Sequence, residues 1–133
     1  AIYGYDGLCK NIHGHSYKLN VTVIGTPINN PDDVKNGMII DFSDLKKIVR
    51  EEIVMPFDHA TVLNYKSPHK LMADEMERRG NKIIKVDFQP TCEMLVIDFA
   101  EKIKEKLPSN IALYSLKLTE TATAYAEWYE SDN

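Results

Sequence analysis

The stretch CKNIHGHSYKLNVTV, residues 9–23, joins a strand pattern to a cluster of side chains that can carry chemistry. Its second half alternates apolar or aromatic residues with polar ones, in the order Tyr17, Lys18, Leu19, Asn20, Val21, Thr22 and Val23. Because successive side chains of a strand point to opposite faces, this period of two predicts a strand with one buried face. We expect that strand to cover residues 13–26.

Composition and charge restrict the kind of protein this is. The 133 residues fit one domain, and a chain of this length can bury about two thirds of its unfolded surface without disulfides. A hydrophobic fraction of 44% and a charged fraction of 27% exclude a disordered, collagen-like or coiled-coil chain. With a formal charge of −4 and no tract rich in Lys or Arg, we expect no nucleic-acid partner.

The sequence contains no pattern for a membrane span or for secretion. No segment approaches the roughly 18 to 20 continuous apolar residues that a span needs, and the first residues lack a basic segment followed by an apolar one. The two cysteines, Cys9 and Cys92, are too few for a disulfide framework, although their pairing stays open. We therefore expect a cytoplasmic protein with no membrane partner.

Turn and cap residues divide the chain after the first strand. Proline, asparagine and aspartate crowd residues 27–33 and predict a loop, and the apolar residues 37–40 predict a short strand. Asp41 is a good helix N-cap. Apolar residues then follow at a spacing of three to four, at Phe42, Leu45, Ile48, Val49 and Ile53. This pattern predicts a first helix that ends before Pro56.

Two more helices and three more strands follow. Ser67-Pro68 at the start and Gly80 at the end predict a helix over residues 68–79, and a strand over 82–88 comes next. Thr91 can cap a third helix, whose apolar stripe consists of Val96, Phe99, Ala100, Ile103 and Leu107. Residues 113–119 and 123–129 have the pattern of a closing hairpin.

This order of elements predicts an α+β domain with two long helices on one face of a mainly antiparallel sheet. A small sheet that is covered on one side leaves its edges and its other face exposed. Proteins usually protect such edges by pairing or by closure of the sheet. We therefore predict an oligomer.

The start of the first predicted strand is a candidate metal site. Because residues two apart share one face of a strand, His13 and His15 can direct both imidazoles toward one zinc ion. For a lone pair of this kind, simple hydrogen bonding near a turn is the more common explanation. Cys9 lies four residues earlier and could be a thiolate base or nucleophile, or a third zinc ligand. His59 and His69 are the other candidates for a third ligand.

Two acidic residues are candidates for catalysis or binding. Asp58 precedes His59 directly, and a carboxylate beside a histidine can orient its ring for proton transfer. Glu120 ends a predicted strand. Each also has a simpler explanation, since a turn-forming aspartate with a surface histidine and an exposed glutamate at a strand end are both common.

Five motifs occur in an order that resembles one enzyme family. They are Cys9-x3-His13-Gly14-His15-x-Tyr17, Gly37-Met38-Ile39-Ile40-Asp41-Phe42, Asp58-His59 followed by Leu63-Asn64, Pro90-Thr91-x-Glu93, and Glu120-Thr121. Together they resemble the pterin synthase family, which includes 6-pyruvoyltetrahydropterin synthases and the bacterial 6-carboxytetrahydropterin synthases of queuosine biosynthesis.

The resemblance implies the tunnelling fold, a four-stranded antiparallel sheet with two helices on one face. This fold trimerises into a barrel and commonly stacks as a dimer of trimers, a homohexamer. The resemblance also implies zinc held by three histidines, of which His13 and His15 match the second and third. The first normally lies on an N-terminal strand in a Phe-x-Ala-x-His setting, so we expect that strand and that histidine before Ala1.

The resemblance further implies a role for each candidate residue. Cys9 is the catalytic thiol, Asp58-His59 the proton-transfer dyad, and Glu120 the carboxylate that anchors the pterin. Two parallel N–H donors of the aminopyrimidinone edge suit a bidentate carboxylate. Thr91 and Cys92 would line the pterin site; relatives often have a small hydroxyl residue at the second position, and a thiol at a helix N-terminus could instead be reactive.

The family substrate is 7,8-dihydroneopterin triphosphate. The carboxy-forming branch also cleaves the side chain, which yields 6-carboxy-5,6,7,8-tetrahydropterin, acetaldehyde and triphosphate, whereas the pyruvoyl branch keeps the three-carbon unit. The three-residue gap between Cys9 and His13 resembles the carboxy-forming branch, so we predict a zinc-dependent lyase of that kind. A 6-pyruvoyltetrahydropterin synthase, or a pterin- or zinc-binding module without catalysis, remains an alternative.

The triphosphate needs cations, and several are available despite the negative net charge. The candidates are Lys10, Lys18, Lys66, His69 and Lys70. The segment 65–85 is longer than the resemblance leads us to expect, so it could cover the mouth of the site or form an oligomer contact.

Overall fold

The computed structural model describes residues 1–133, and its centre is a three-stranded antiparallel sheet. The strands are β1 (Lys18–Gly25), β4 (Ile111–Thr121) and β5 (Ala124–Tyr129), in the spatial order β1-β4-β5. A separate two-stranded sheet pairs β2 (Thr61–Asn64) with β3 (Ile83–Val86) in parallel. The α+β class with an antiparallel sheet is therefore confirmed.

The strand β1 has the predicted alternation but not the predicted length. Exposed and partly buried residues alternate from Lys18 to Gly25. The prediction of residues 13–26 was too long, because β1 pairs with β4 only as far as Lys18 opposite Thr119. Beyond that pair β4 turns into its hairpin with β5, which leaves residues 11–17 without a neighbouring strand.

The first helix begins as predicted with α1 (Phe42–Val49), but the helical segment that α1 opens ends later than predicted, at Phe57. The Asp41 carboxylate accepts a hydrogen bond from the Ser43 N–H at 2.8 Å, as a helix N-cap does. The helix then continues through a π-helical turn (Arg50–Val54) and a last turn (Met55–Phe57). In the wide turn the Met55 N–H bonds to the Arg50 carbonyl, so the chain passes Pro56, which has no N–H, without breaking.

The other two helices lie close to their predicted positions. Helix α2 (His69–Arg78) falls within residues 68–79, and Gly80 follows it with a φ of +92°. Such a left-handed conformation at a helix C-terminus favours glycine. Helix α3 (Cys92–Lys106) is capped by the Thr91 hydroxyl, which accepts a hydrogen bond from the Met94 N–H at 3.2 Å.

Two strand predictions need correction. Residues 37–40 form no strand, since that segment only closes a loop: the Ile28 N–H donates to the Met38 carbonyl, and the Gly37 N–H donates to the Ile28 carbonyl. The strand predicted over residues 82–88 is shorter in the structure, where it is β3 (Ile83–Val86). Its partner strand, β2, was not predicted. The segment 65–85 therefore carries the connecting helix of a parallel strand–helix–strand unit.

The core lies between α3 and the inner face of the sheet. Its buried side chains come mainly from α3 and from strands β4 and β5, and they include Leu95, Val96, Phe99, Ala100, Ile103, Leu113, Leu116, Leu118 and Trp128. Ile53 of the π-helical turn joins this cluster, and the rings of Phe57 and Phe99 meet edge to face at 4.9 Å. Both long helices thus contribute to one core.

The antiparallel sheet has three strands within residues 1–133, and the fourth strand of the predicted sheet stays a prediction. One edge of β1 and one edge of β5 consequently have no partner strand in this chain. No helix combines the length and the apolar character that crossing a bilayer requires.

Candidate active site

A β-bulge near the end of β4 places Glu120. Thr119 lies opposite Tyr125 and Thr121 lies opposite Ala124, so Glu120 is an extra residue in β4 with no counterpart in β5. Bulges bend a strand and re-aim its side chains. The result is that the Glu120 carboxylate lies at the end of the sheet where the residues before β1 also lie.

The Glu120 carboxylate meets two residues of the candidate metal site. Its Oε1 atom is 3.5 Å from His15 Nε2 and 3.5 Å from the Tyr17 hydroxyl. Burial, and next the negative charge of Glu120, raise the pKa of Tyr17 well above its usual value. The Tyr17 hydroxyl therefore stays protonated and donates toward Glu120, while Oε2 has no partner in the chain.

The two histidines are neighbours in space. The His13 and His15 rings meet edge to face with centroids 5.0 Å apart. The His13 Nδ1 atom lies 2.7 Å from the Asn11 carbonyl. Since a carbonyl only accepts, Nδ1–H is the donor in this bond, and in the neutral form of the ring Nε2 is the acceptor. Histidines that bind metal are commonly oriented by such a bond.

These two imidazoles fit zinc as two of its ligands. No group of three or more His, Cys, Asp or Glu side chains is arranged to hold a metal within the 133 residues. None of the candidates for a third ligand, Cys9, His59 and His69, forms such a group with the pair. The third ligand stays a prediction for a residue before Ala1.

Cys9 lies in the same region, in a short 3₁₀ turn (Leu8–Lys10). It is a free, partly exposed cysteine. Its negative charge when ionised contributes, after burial, Glu120 and Cys92, to the raised pKa of Tyr17. Cys9, the histidine pair and Glu120 therefore lie in one region of the structure.

Thr91 and Cys92 reach this neighbourhood from the start of α3. The Cys92 thiol is buried and donates to the Leu118 carbonyl at 3.3 Å, two residues from Glu120. Burial, and then Glu120, raise the pKa of Cys92, which keeps the thiol neutral and argues against a reactive thiolate. The Thr91 hydroxyl serves as the helix cap, and its predicted contact with pterin stays a prediction.

Asp58 and His59 form the predicted pair, on an exposed turn after the first helix. The Asp58 Oδ1 atom is 2.8 Å from His59 Nδ1, and the side chains are 66% and 91% exposed. Lys82 donates to the main-chain carbonyls of Met55 and Asp58 at 2.7 Å each and holds this turn. No hydrogen bond or ion pair links the Asp58-His59 pair to Cys9 or Glu120.

The cation candidates are divided between paired and unpaired side chains. Lys66 lies 3.6 Å from Asp87, and Lys70 lies 2.6 Å from Asp74. The His69 ring packs against the Tyr3 ring, with its Nδ1 buried and unpaired. Burial lowers the pKa of His69, which makes it a poor cation at neutral pH. Lys10 and Lys18 form no ion pair in the chain and are the remaining free candidates.

Two supporting residues of this site, Tyr17 and Gln89, had no predicted role. Tyr17, directly before β1, was part of a motif without a role, although its place two residues after His15 was a usable signal. Gln89 was not noticed, and its side chain donates to the Tyr3 carbonyl at 3.2 Å. Its only signal was its position directly before Pro90-Thr91.

The fold and the site define a small α+β enzyme with a histidine pair, a thiol and a carboxylate gathered at one end of an antiparallel sheet. Residues 1–131 match the family model described as 6-pyruvoyl tetrahydropterin synthase. The chain belongs to this family, and the predicted class of lyase-type enzyme is confirmed with it.

Curated relatives agree with this assignment. The 6-carboxy-5,6,7,8-tetrahydropterin synthase of Haemophilus influenzae is 34% identical over 128 residues, which cover 96% of this chain and 88% of the relative. The proteins of the same name from Rickettsia typhi and Aquifex aeolicus are 33% and 32% identical, over 95% and 92% of this chain and 88% and 76% of the relatives.

A solved structure shows the same fold. The crystal structure of an uncharacterized protein from Wolinella succinogenes superposes with a TM-score of 0.70 at 20% identity. The match covers 92% of this chain and 81% of that chain.

Proposed function

We propose that this protein is a zinc-dependent 6-carboxytetrahydropterin synthase. It converts 7,8-dihydroneopterin triphosphate to 6-carboxy-5,6,7,8-tetrahydropterin, acetaldehyde and triphosphate in the cytoplasm. The observation that carries the proposal is the convergence of His15 and Tyr17 on Glu120, which joins the histidine pair to the carboxylate. The names of the relatives support the carboxy product over the pyruvoyl product.

Glu120 anchors the pterin ring in this proposal. Each carboxylate oxygen has two acceptor positions, so the Tyr17 hydroxyl can hold Oε1 while the carboxylate still accepts two N–H donors from the aminopyrimidinone edge. The unpaired Oε2 supports this role, because an oxygen without a partner is free to accept from a ligand.

His13 and His15 would hold the zinc ion. When bound, zinc supplies Lewis acidity at the vicinal hydroxyls of the substrate side chain, which acidifies the neighbouring C–H. Cys9 as the thiolate takes that proton from carbon, and His59 moves a proton elsewhere on the side chain. Asp58 holds the His59 ring through its bond to Nδ1.

The proposal includes a trimer or a dimer of trimers. The free edges of β1 and β5 could pair between copies. The exposure of His59 supports the same assembly, because a proton-transfer residue needs a site that excludes water, and no part of its own chain covers it.

The test is to replace Cys9 by alanine in the zinc-loaded protein. We expect kcat to fall about 100- to 10,000-fold, the usual contribution of a proton-transfer residue, while the pterin still binds. Turnover is followed as release of acetaldehyde and triphosphate from 7,8-dihydroneopterin triphosphate. Leu8→Ala is a matched control, because Leu8 lies in the same turn and is 86% exposed.

Unchanged turnover in the Cys9→Ala protein would rule out this mechanism. Removal of metal with a chelator should abolish turnover as well, and restored zinc should return it. Release of triphosphate without acetaldehyde, with a product that retains three carbons, would favour the pyruvoyl reaction instead.

A further inference from the structure

The residues around Cys9 form a closed loop, which we call the Cys9 loop and define as residues 1–11. The Ile2 N–H donates to the Cys9 carbonyl at 2.8 Å and joins the two ends of the loop. Inside it, the Tyr5 ring lies against Gly7, where a Cβ atom would come within 2.6 Å of the ring. Because the loop is closed on itself, its contacts with the rest of the protein hold Cys9 in place.

Two contacts of Tyr3 attach the Cys9 loop to the segments that begin α3 and α2, and at the end of the loop the Asn11 carbonyl contacts His13 Nδ1 at 2.7 Å. The Gln89 side chain donates to the Tyr3 carbonyl at 3.2 Å. The His69 ring meets the Tyr3 ring edge to face, with centroids 5.2 Å apart and planes at 83°. Gln89 precedes the cap of α3, and His69 is the first residue of α2.

The connection from Gln89 to the predicted pterin site is short and stiff. Pro90 has a fixed φ, and the Gln89 carbonyl accepts a hydrogen bond from the Thr91 N–H at 2.8 Å. Thr91 and Cys92 follow at once, and the Cys92 thiol contacts the β4 backbone beside Glu120. The segment 89–92 thus contacts both the Cys9 loop and the strand β4, whose Glu120 would bind the pterin ring.

We propose that Gln89 is a positioning residue for Cys9, with His69 as the second support of the same loop. This inference rests on the proposed function, in which Cys9 takes a proton from the substrate side chain. Gln89 touches no reacting atom; it sets the distance between the Cys9 loop and the residues that bind the ring. His69 accordingly acts by packing, and not as a zinc ligand or a phosphate-binding cation.

If Gln89 positions Cys9, its loss should affect the rate of the reaction and not the binding of the pterin. A displacement of about 1 Å at a reacting group can lower the rate about 100-fold, because the reacting atoms must be held near contact distance. The pterin ring is bound by Glu120, which the Cys9 loop does not hold. A loosened loop should therefore lower kcat and leave KM nearly unchanged.

The experiment compares Gln89→Leu with wild type, since leucine has a similar volume and no donor. Iodoacetamide alkylation of Cys9, followed by peptide mass spectrometry, reports the freedom of the loop without any turnover. Buried Cys92 is the internal reference. We expect alkylation of Cys9 to be about threefold faster or more, kcat to fall about tenfold or more, and KM to stay within about twofold.

Tyr3→Phe is the matched control, because it keeps both the Tyr3 carbonyl and an aromatic ring against His69. It should match wild type in both measurements. His69→Ala is a second variant that removes the other contact; we expect faster alkylation of Cys9 and an unchanged zinc content. A fall in zinc content would assign His69 to the metal and overturn its packing role.

Alkylation of Cys9 in Gln89→Leu within about twofold of wild type would overturn the proposal, whatever happens to kcat. If wild type itself shows no turnover of the pterin substrate, the proposed function fails. The alkylation rates then still decide whether Gln89 and His69 hold the loop.

Discussion

At the scale of single residues, the backbone position of Glu120 matters as much as its charge. An ordinary strand would have continued the pairing with β5, whereas the bulge inserts Glu120 as an unpaired extra residue. The Tyr17 hydroxyl and His15 Nε2 then share one of its oxygens. By sequence alone, Glu120 could equally be an exposed surface charge. In the structure it is the residue on which the other side chains of the candidate site converge.

The change Glu120→Gln tests this centre, because glutamine keeps the shape and removes the charge. A hydrogen bond to a charged group contributes about 1.5–3 kcal/mol, so the loss of two such bonds to the pterin should lower kcat/KM about 100-fold or more, mainly through KM. Steady-state kinetics and pterin binding measure this effect.

Tyr17→Phe is the matched comparison for Glu120→Gln. The Tyr17 hydroxyl is 3.5 Å from Glu120, a long hydrogen bond, so its removal should cost less than about tenfold in kcat/KM. Equal losses in the two variants, or no loss in Glu120→Gln, would contradict the anchor role.

At the scale of elements, the start of α3 links stability to the site. The Thr91 hydroxyl caps this helix, and the helix supplies much of the buried core. Caps and apolar stripes are local signals, which is why α1, α2 and α3 all begin near their predicted positions. Pairing between β2 and β3 is not local, and a four-residue strand has little pattern of its own, so β2 was missed.

We expect Thr91→Ala to lower the free energy of unfolding by about 1 kcal/mol, because the N–H of Met94 loses its acceptor. Thr91→Ser keeps a hydroxyl and should stay closer to wild type. Urea unfolding of the two variants measures the difference. Equal stability of Thr91→Ala and wild type would show that the cap does not stabilise α3.

At the scale of the whole molecule, one sheet has a helix-covered face and a polar face. The outer side chains of β1 and β4 include Lys18, Asn20, Thr22, Ser115, Lys117 and Thr119. A polar face stays in contact with water, so the free edges of β1 and β5 are the part of the sheet that favours association. Ile24 of β1 adds an exposed apolar side chain at 54% exposure.

We expect light scattering after gel filtration to give three or six times the mass of one chain. Ile24→Lys should shift the protein toward the monomer, because it places a charge on the edge strand. Leu71→Lys, at an apolar residue of α2 that is even more exposed (77%), is the matched control and should not shift it. A wild-type monomer at micromolar concentration would contradict the proposed assembly.

The sequence by itself determined the features that depend on neighbours along the chain. These are the alternation of β1, the N-caps at Asp41 and Thr91, the stop at Gly80 and the closing hairpin. The order of the motifs also identified the family before any fold was known. Each of these rests on periodicity, backbone preference or spacing, which are properties of short segments.

Only the tertiary structure decided which residues meet. Tyr17 and Glu120 are 103 positions apart, and Gln89 and Tyr3 are 86 apart, so no local pattern indicates either contact. The passage of the first helix through Pro56 and the bulge at Glu120 likewise depend on packing and strand register. Long-range contacts form because the whole chain buries its apolar surface together, and that shared burial brings distant polar groups to one place.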